Sequence, residues 1–257
     1  MSAQERTATR RQAGDSWDAG DAYESFMGRW SRLVAAGFVE WLDIAPGGVW
    51  LDVGCGTGAL TAAICDVADP IAVTGVDRSP EFVAHASDLS CADTADYLVA
   101  EASSLPFIDG IFDVAVSGLV LNFVPDPVAA LREQSRVVAP SGTVAAYVWD
   151  YAEGMRLLRH FWDVARQITP SSVALDEAVR VPDATPRGLA VLVEAAGLGL
   201  AATTDFEVEA SFCDFDELWA PFLTGQGPAP GFVARLHDSG QALFKERLAE
   251  AMPVDAD

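Results

Sequence analysis

Lysine is almost absent from this chain: Lys245 is the only one, and 16 basic residues stand against 38 acidic ones. A net charge of −22 repels phosphate backbones and anionic lipid, so neither nucleic acid nor a membrane surface is expected as a partner. No basic cluster beyond Arg10-Arg11 offsets that charge. With Lys245 as the sole lysine, a Tyr-x-x-x-Lys catalytic pair is also excluded. The four cysteines, Cys55, Cys65, Cys91 and Cys213, show no C-x-x-C spacing and no accompanying histidine pair, so no metal site is expected. They fit reduced thiols in a cytoplasmic protein. No apolar run reaches the roughly 18 residues that a membrane span needs. The polar stretch from Ser2 to Asp21 lacks the apolar core of a signal peptide.

What the chain does have is apolar bulk. Of its 257 residues 51% are hydrophobic, enough to bury a sizeable core in one large domain. It is organised around Val49–Leu60, VWLDVGCGTGAL. A short β-prone run meets an acid, Asp52, and then glycines at alternate positions, Gly54, Gly56 and Gly58. Leu60 and Ile64 then fall four apart, on one face of a helix. A buried strand, a tight glycine turn and a helix N-terminus form the usual cradle for a nucleotide-like ligand in an α/β sheet.

Two ligand classes compete for the turn. Read as G-x-G-x-x-G/A, Gly54, Gly56 and Ala59 suit a dinucleotide. Read as D-x-G-x-G-x-G, Asp52, Gly54, Gly56 and Gly58 resemble the first motif of class I S-adenosylmethionine (SAM) dependent methyltransferases. The acid favours the second reading, because a sulfonium and an amino group attract a carboxylate and a pyrophosphate does not.

Further along, strands are expected over Ile71–Val76, Asp96–Ala100, Phe112–Ser117 and, after a Ser141-Gly142 turn, Thr143–Trp149. Pro80 opens one helix, and Asp126-Pro127 caps another that runs to about Val138. Such alternation implies right-handed crossovers and a parallel sheet. Two amphipathic helices, interrupted near Gly28, are expected between Trp17 and Leu42. Past Asp150, helical patterns cover Gly154–Gln167, Arg187–Ala196, Asp216–Leu223 and Phe232–Met252, with a sixth strand in Leu198–Glu209.

The strings LDVGCGTG, TGVDRSPEF, AEASSLPF, FDVAVSGLVLNFV and APSGTVAAYVWD follow the order and spacing of the class I methyltransferase motifs from Trp50 to Asp150. FMGRWS, Phe26 to Ser31, resembles a subgroup of small-molecule methyltransferases. The resemblance implies a Rossmann-like, doubly wound α/β fold, mostly parallel, with helices on both faces and a helical lid. It divides the chain into an N-terminal helical cap (1–45), a SAM-binding core (46–150) and a C-terminal half of the same domain (151–257). Seven strands are implied, the last antiparallel between the fifth and sixth. Beyond Glu209 the pattern is only helical, so the seventh strand is expected to be missing, or to come from another part of the chain or a neighbouring subunit.

The resemblance also implies site residues. Asp77, ending the second strand, accepts from the ribose hydroxyls, with Arg78 beside it. Glu101, where relatives more often carry aspartate, accepts from the adenine amine, while Ala102 and Ser103 offer backbone amides. Ser117 and Leu119 face the methionine part, and Tyr23 and Arg29 close over the cofactor. For the acceptor, Asn122 stands where relatives often have histidine; it either orients substrate or caps the next turn. Trp149 and Tyr151 lie where the fifth strand ends, and His160 is a weak candidate base. The expected function is methyl transfer to a small molecule by in-line displacement. The alternative is a SAM-binding protein without methyl transfer, a sensor or an inactive relative.

Overall fold

The computed structural model describes residues 28–88, 91, 94–224 and 227–253. They fall into two compact units, one containing the sheet and one wholly helical. Pro186–Glu209, in the C-terminal half of the chain, belongs to the sheet unit, whereas Trp149–Thr185 and the residues after Glu209 form the helical one.

The sheet unit begins with α1 (Arg29–Leu42). Five strands follow: β1 (Val49–Val53), β2 (Ala72–Asp77), β3 (Ala95–Val99), β4 (Phe112–Gly118) and β5 (Val138–Tyr147). They lie in the order β3-β2-β1-β4-β5, and every pairing is parallel. β1 runs through the middle, with Trp50 opposite Val73 on one side and Val114 on the other. Trp50, Leu51 and Val53 are fully buried, as are Ala115 and Val116 of β4. Strands covered on both faces read as such continuous apolar runs.

The crossover helices are α2 (Ala59–Val67), α3 (Pro80–Ser87) and α4 (Pro127–Val137). The Ser79 hydroxyl accepts from the Phe82 amide to cap α3, and Asp126 accepts from Ala129 at 2.9 Å to cap α4. In both, proline at the first helical position gives up no needed donor. Because winding reverses at β1, right-handed crossovers place α2 and α3 on one face and α4 on the other. α1 packs on α2, and α7 (Pro186–Ala195) packs on α4.

Two expectations are corrected here. Ser141-Gly142 is not a turn preceding β5: the strand starts at Val138, and its register with β4 slips between Phe112↔Val138 and Val114↔Thr143, an irregularity that absorbs the extra residues. The sixth strand in Leu198–Glu209 does not form. Residues 200–209 pair with no strand, and Phe206 packs against Trp41 of α1, ring centroids 6.3 Å apart. An alternating pattern makes a strand only where a ladder partner lies alongside. Among the described residues no strand follows β5, and the sheet they form has five strands.

The helical unit comprises α5 (Arg156–Ile168), the short α6 (Glu177–Arg180), α8 (Phe215–Trp219), α9 (Pro228–Ala234) and α10 (Asp238–Ala251). Its core is aromatic. Phe161 stacks on Phe222 at 4.7 Å and meets Phe244 at 4.8 Å, with Trp162 edge-on at 5.0 Å. Asp176, 1% exposed, accepts from Arg159 at 2.5 Å and Arg166 at 2.8 Å. Residues 170–186 are thus pinned through Asp176, a buried carboxylate paired with two partly exposed arginines. The neighbouring Glu177 carboxylate accepts from Trp162 Nε1. Burial holds the Glu177 carboxyl up at about 7.

Candidate functional site

The reversal of strand order falls between β1 and β4, where open parallel sheets leave a crevice at the strands' C-terminal ends. At that edge Gly54, Gly56 and Gly58 all adopt left-handed backbone, with φ of +76°, +53° and +90°. Only glycine takes such a run without strain. The turn is tied down by its backbone: the amides of Gly54 and Cys55 both donate to the Val76 carbonyl, at 2.7 and 2.9 Å. Two of the glycines differ in their surroundings. A Cβ on Gly54 would come within 2.4 Å of Val120, whereas one on Gly56 would meet nothing within 4 Å. Gly54 is therefore needed for packing, and Gly56 opens onto free space.

Asp77 closes β2 beside this turn. Its Oδ2 accepts from the Gly56 amide at 3.1 Å and its Oδ1 from the Ser79 amide at 2.8 Å. Each oxygen retains capacity for a further bond. The Asp77 carbonyl accepts from the Ala100 amide at 2.9 Å, joining the ends of β2 and β3. Glu101 follows, exposed, and forms a one-residue bridge to Ser104. At the end of β4, Ser117 is fully buried, and its hydroxyl has no partner among the described residues. Leu119 is left-handed, φ +62°, and its amide donates to the Tyr147 carbonyl at 2.9 Å. A branched residue in that region is strained and clusters at functional sites. Asn122 is buried, with its Nδ2 unpaired among the described residues.

Asp52 lies beneath the turn. It is fully buried; Oδ2 accepts from the Thr61 hydroxyl at 2.7 Å, and Oδ1 has no partner among the described residues. Burial pushes its carboxyl up to about 7, the Thr61 bond opposes this, and the charge of Asp77 adds to it. Any effect of Asp52 on a bound cation thus acts through the field rather than by contact. Burial likewise pushes the Cys55 thiol far up, which leaves it an unreactive small residue in the turn.

The structure brings Gly54, Gly56, Gly58, Asp77, Glu101, Ala102, Ser103, Ser117, Leu119 and Asn122 to one edge of the sheet. Arg78 is exposed next to Asp77. Tyr23 lies outside the described residues, and Arg29 opens α1. Trp149, half-buried, Tyr151, buried, and His160, half-buried on α5, belong to the helical unit. Phe161 and Trp162 are core aromatics there. Thr61 and Val120 shape the site without having been foreseen. Thr61 had a faint signal, a hydroxyl in an otherwise apolar turn of α2; Tyr147 had none, since it acts through its carbonyl. Among the described residues no group of three or more His, Cys, Asp or Glu could hold a metal ion.

SAM fits this edge on three observations: the open space at Gly56, the unused acceptor capacity of Asp77, and the orphaned buried polar atoms of Ser117 and Asn122. The comparisons agree with that fit. Residues 51–146 match the family described as methyltransferase domain. The chain is 33% identical over 189 residues to 2-methyl-6-phytyl-1,4-hydroquinone methyltransferase of Synechocystis sp., covering 72% of this chain and 57% of the relative. It is 31% identical over 194 residues to 2-phytyl-1,4-naphtoquinone methyltransferase of Synechococcus elongatus, covering 70% of this chain and 81% of that relative. The match thus spans little more than half the length of the first and about four-fifths of the second. In fold, it resembles the plantazolicin methyltransferase BamL, solved with a desmethylPZN analog and SAH, at a TM-score of 0.58 and 17% identity, over 76% of this chain and 74% of that one. The chain belongs to the class I SAM-dependent methyltransferases.

Proposed function

We propose that this protein transfers the methyl group of SAM to a small-molecule acceptor. The observation that carries the reading is the Gly56–Asp77 pairing: a left-handed turn open to a ligand, with a carboxylate bonded to its amide and still able to accept. In this reading Gly54, Gly56 and Gly58 cradle the cofactor, and Asp77 accepts from the ribose hydroxyls, with Arg78 at its rim. Glu101 accepts from the adenine amine, flanked by the amides of Ala102 and Ser103. Ser117 and Leu119 border the methionine part, and Asp52 beneath the turn, drawn towards its ionised form by a bound cation, favours positive charge there. Tyr23 and Arg29 are proposed to close over the ligand. Asn122 is proposed to meet the acceptor, and Trp149, Tyr151 and the candidate base His160 stand as proposed substrate residues of the helical unit. The FMGRWS string supports membership of the small-molecule subgroup.

When bound, SAM supplies a methyl group on a positively charged sulfur, open to in-line attack by a nucleophilic atom of the acceptor. The chain's own part is positional: it holds the acceptor within a near-attack distance of about 3–3.5 Å. A dedicated base is optional, because the acceptor's proton can leave to solvent. Both curated relatives carry phytyl-substituted quinone compounds in their names, so quinols head the acceptor panel. A net charge of −22 supports a neutral or cationic small molecule over a nucleic acid. No helix among the described residues is long and apolar enough to cross a membrane, and a cytoplasmic site of action is proposed.

Calorimetric titration with SAM and with NADPH, followed by measurement of S-adenosylhomocysteine (SAH) release over the acceptor panel, tests the reading. SAM binding with acceptor-stimulated release supports it. NADPH binding in place of SAM overturns it, and SAM binding without release on any acceptor favours a binding protein.

A further inference from the structure

Arg136 sits on α4, on the opposite side of β4 from the glycine turn in strand order, and nothing in the cofactor reading uses it. All five of its N–H donors are engaged. Nε donates to Glu133 Oε1 at 2.8 Å. Nη1 donates to the Phe107 carbonyl at 2.7 Å and to Asp109 Oδ1 at 2.8 Å. Nη2 donates to the Leu105 carbonyl at 3.0 Å and to Glu133 Oε2 at 2.8 Å. Glu133 completes the arrangement by accepting from the Leu105 amide, also at 2.8 Å. Both polar groups of the Leu105 backbone are thereby held by one ion pair.

Apolar contacts fasten the same segment. Leu105 is 5% exposed and lies in the core with Phe112 and Val137, and the Phe107 ring meets Phe112 edge-on at 5.0 Å. The segment held this way continues directly from the turn Glu101–Ser104, whose other end is tied to β2 through Ala100. The Glu101 carboxylate is exposed, so its placement depends on the backbone beneath it.

The geometry points to Arg136 and Glu133 as positioning residues that set the loop carrying Glu101 for recognition of the adenine base; this rests on the cofactor reading above. Planarity is the physical reason. A guanidinium presents five donors in a fixed fork, so with Glu133 it fixes two carbonyls and the Asp109 carboxylate relative to α4, whereas a lysine ammonium offers three donors without that fork. A shift of the loop by a fraction of an ångström loosens the Glu101 contact to the base amine while leaving the ribose contact at Asp77 in place. Substitutions at Arg136 or Glu133 therefore act on base selectivity more than on cofactor binding as a whole.

The test compares SAH with S-inosyl-L-homocysteine, in which a carbonyl replaces the adenine amine, by calorimetry well below the melting temperature. Wild-type protein is expected to prefer SAH. In Arg136→Lys that preference falls roughly tenfold, the worth of one charge-assisted hydrogen bond, while affinity for the inosine compound changes by less than about threefold. Glu133→Gln keeps an acceptor for Leu105 and shows the same change in smaller measure, so the comparison survives if Arg136→Lys does not fold. A merely structural role would lower the melting temperature and leave the preference intact in folded protein, and that result overturns the inference alone. If wild-type protein binds neither compound, the cofactor reading falls and this inference with it.

Discussion

The carboxylate of Asp77 accepts a hydrogen bond from the amide of Gly56 at 3.1 Å, linking the end of β2 to the middle of the turn after β1. Asp77 therefore shapes the turn as well as offering acceptors to a ligand. Asp77→Ala is expected to weaken SAM binding tenfold or more, from the loss of bonds worth about 1.5–3 kcal/mol. Asp77→Asn, which keeps one acceptor oxygen, should lose less. Unchanged affinity in folded Asp77→Ala protein, measured by calorimetry, would refute the ribose assignment.

The two glycines of the turn should separate stability from binding. Gly54→Ala puts a methyl 2.4 Å from Val120 and should lower the melting temperature. Gly56→Val meets no neighbour, so beyond a left-handed penalty of about 1–2 kcal/mol it should leave the fold intact and abolish SAM binding. Normal binding by Gly56→Val would place the ligand elsewhere.

Two buried carboxyls predict the sign of a pH effect. Folding raises Asp52 from 3.8 and Glu177 from 4.5, each to about 7. The folded state then holds more protons than the unfolded one between those limits. The stability these neutral carboxyls contribute is fully present below about pH 4 and is lost as pH rises through about 7, by about 1.4 kcal/mol per unit of displacement. Urea midpoints at pH 5 and pH 8 should fall in that order. Asp52→Asn and Glu177→Gln should each flatten the slope, and a slope unchanged in both variants would contradict the assignment.

In the helical unit, Asp176→Asn keeps the cap on α6 but removes the charge facing Arg159 and Arg166. Arg159 and Arg166 have side chains 21% and 36% exposed, so water screens part of the loss. The expected cost is on the order of 2 kcal/mol, below the roughly 3–5 kcal/mol of a fully buried pair. Chemical denaturation of both proteins at pH 7 measures it, and equal midpoints would show that the pair contributes nothing.

Much of this molecule is written locally. The apolar run before Asp52, the alternate glycines, the Ser79-Pro80 and Asp126-Pro127 caps and the left-handed stop at Gly197 each specify backbone conformation over a few residues. Strands β2, β3 and β4 follow from such signals to within a residue at either end, and α3 and α4 begin at the prolines that announce them. With one family's motifs in sequence order, the edge at which the candidate cofactor-binding residues gather is legible too. Other features have no local signature. Leu198–Glu209 alternates like a strand yet stays unpaired, because a ladder needs a neighbour and Phe206 lies against α1 instead. The early start of β5 at Val138 came from its register with β4 rather than from its own residues. Asp52 reads as a carboxylate next to a cation; burial in the folded core raises its pKa to about 7, with the charge of Asp77 adding to the rise and the Thr61 bond opposing it. Arg136 reads as one more surface arginine on a helix; its five acceptors come from Glu133 one turn away and from backbone and Asp109 far back in the chain. Dihedral preferences and caps act between near neighbours, so composition and spacing reveal them. Desolvation, ladder pairing and long-range hydrogen bonds depend on groups that only folding brings together.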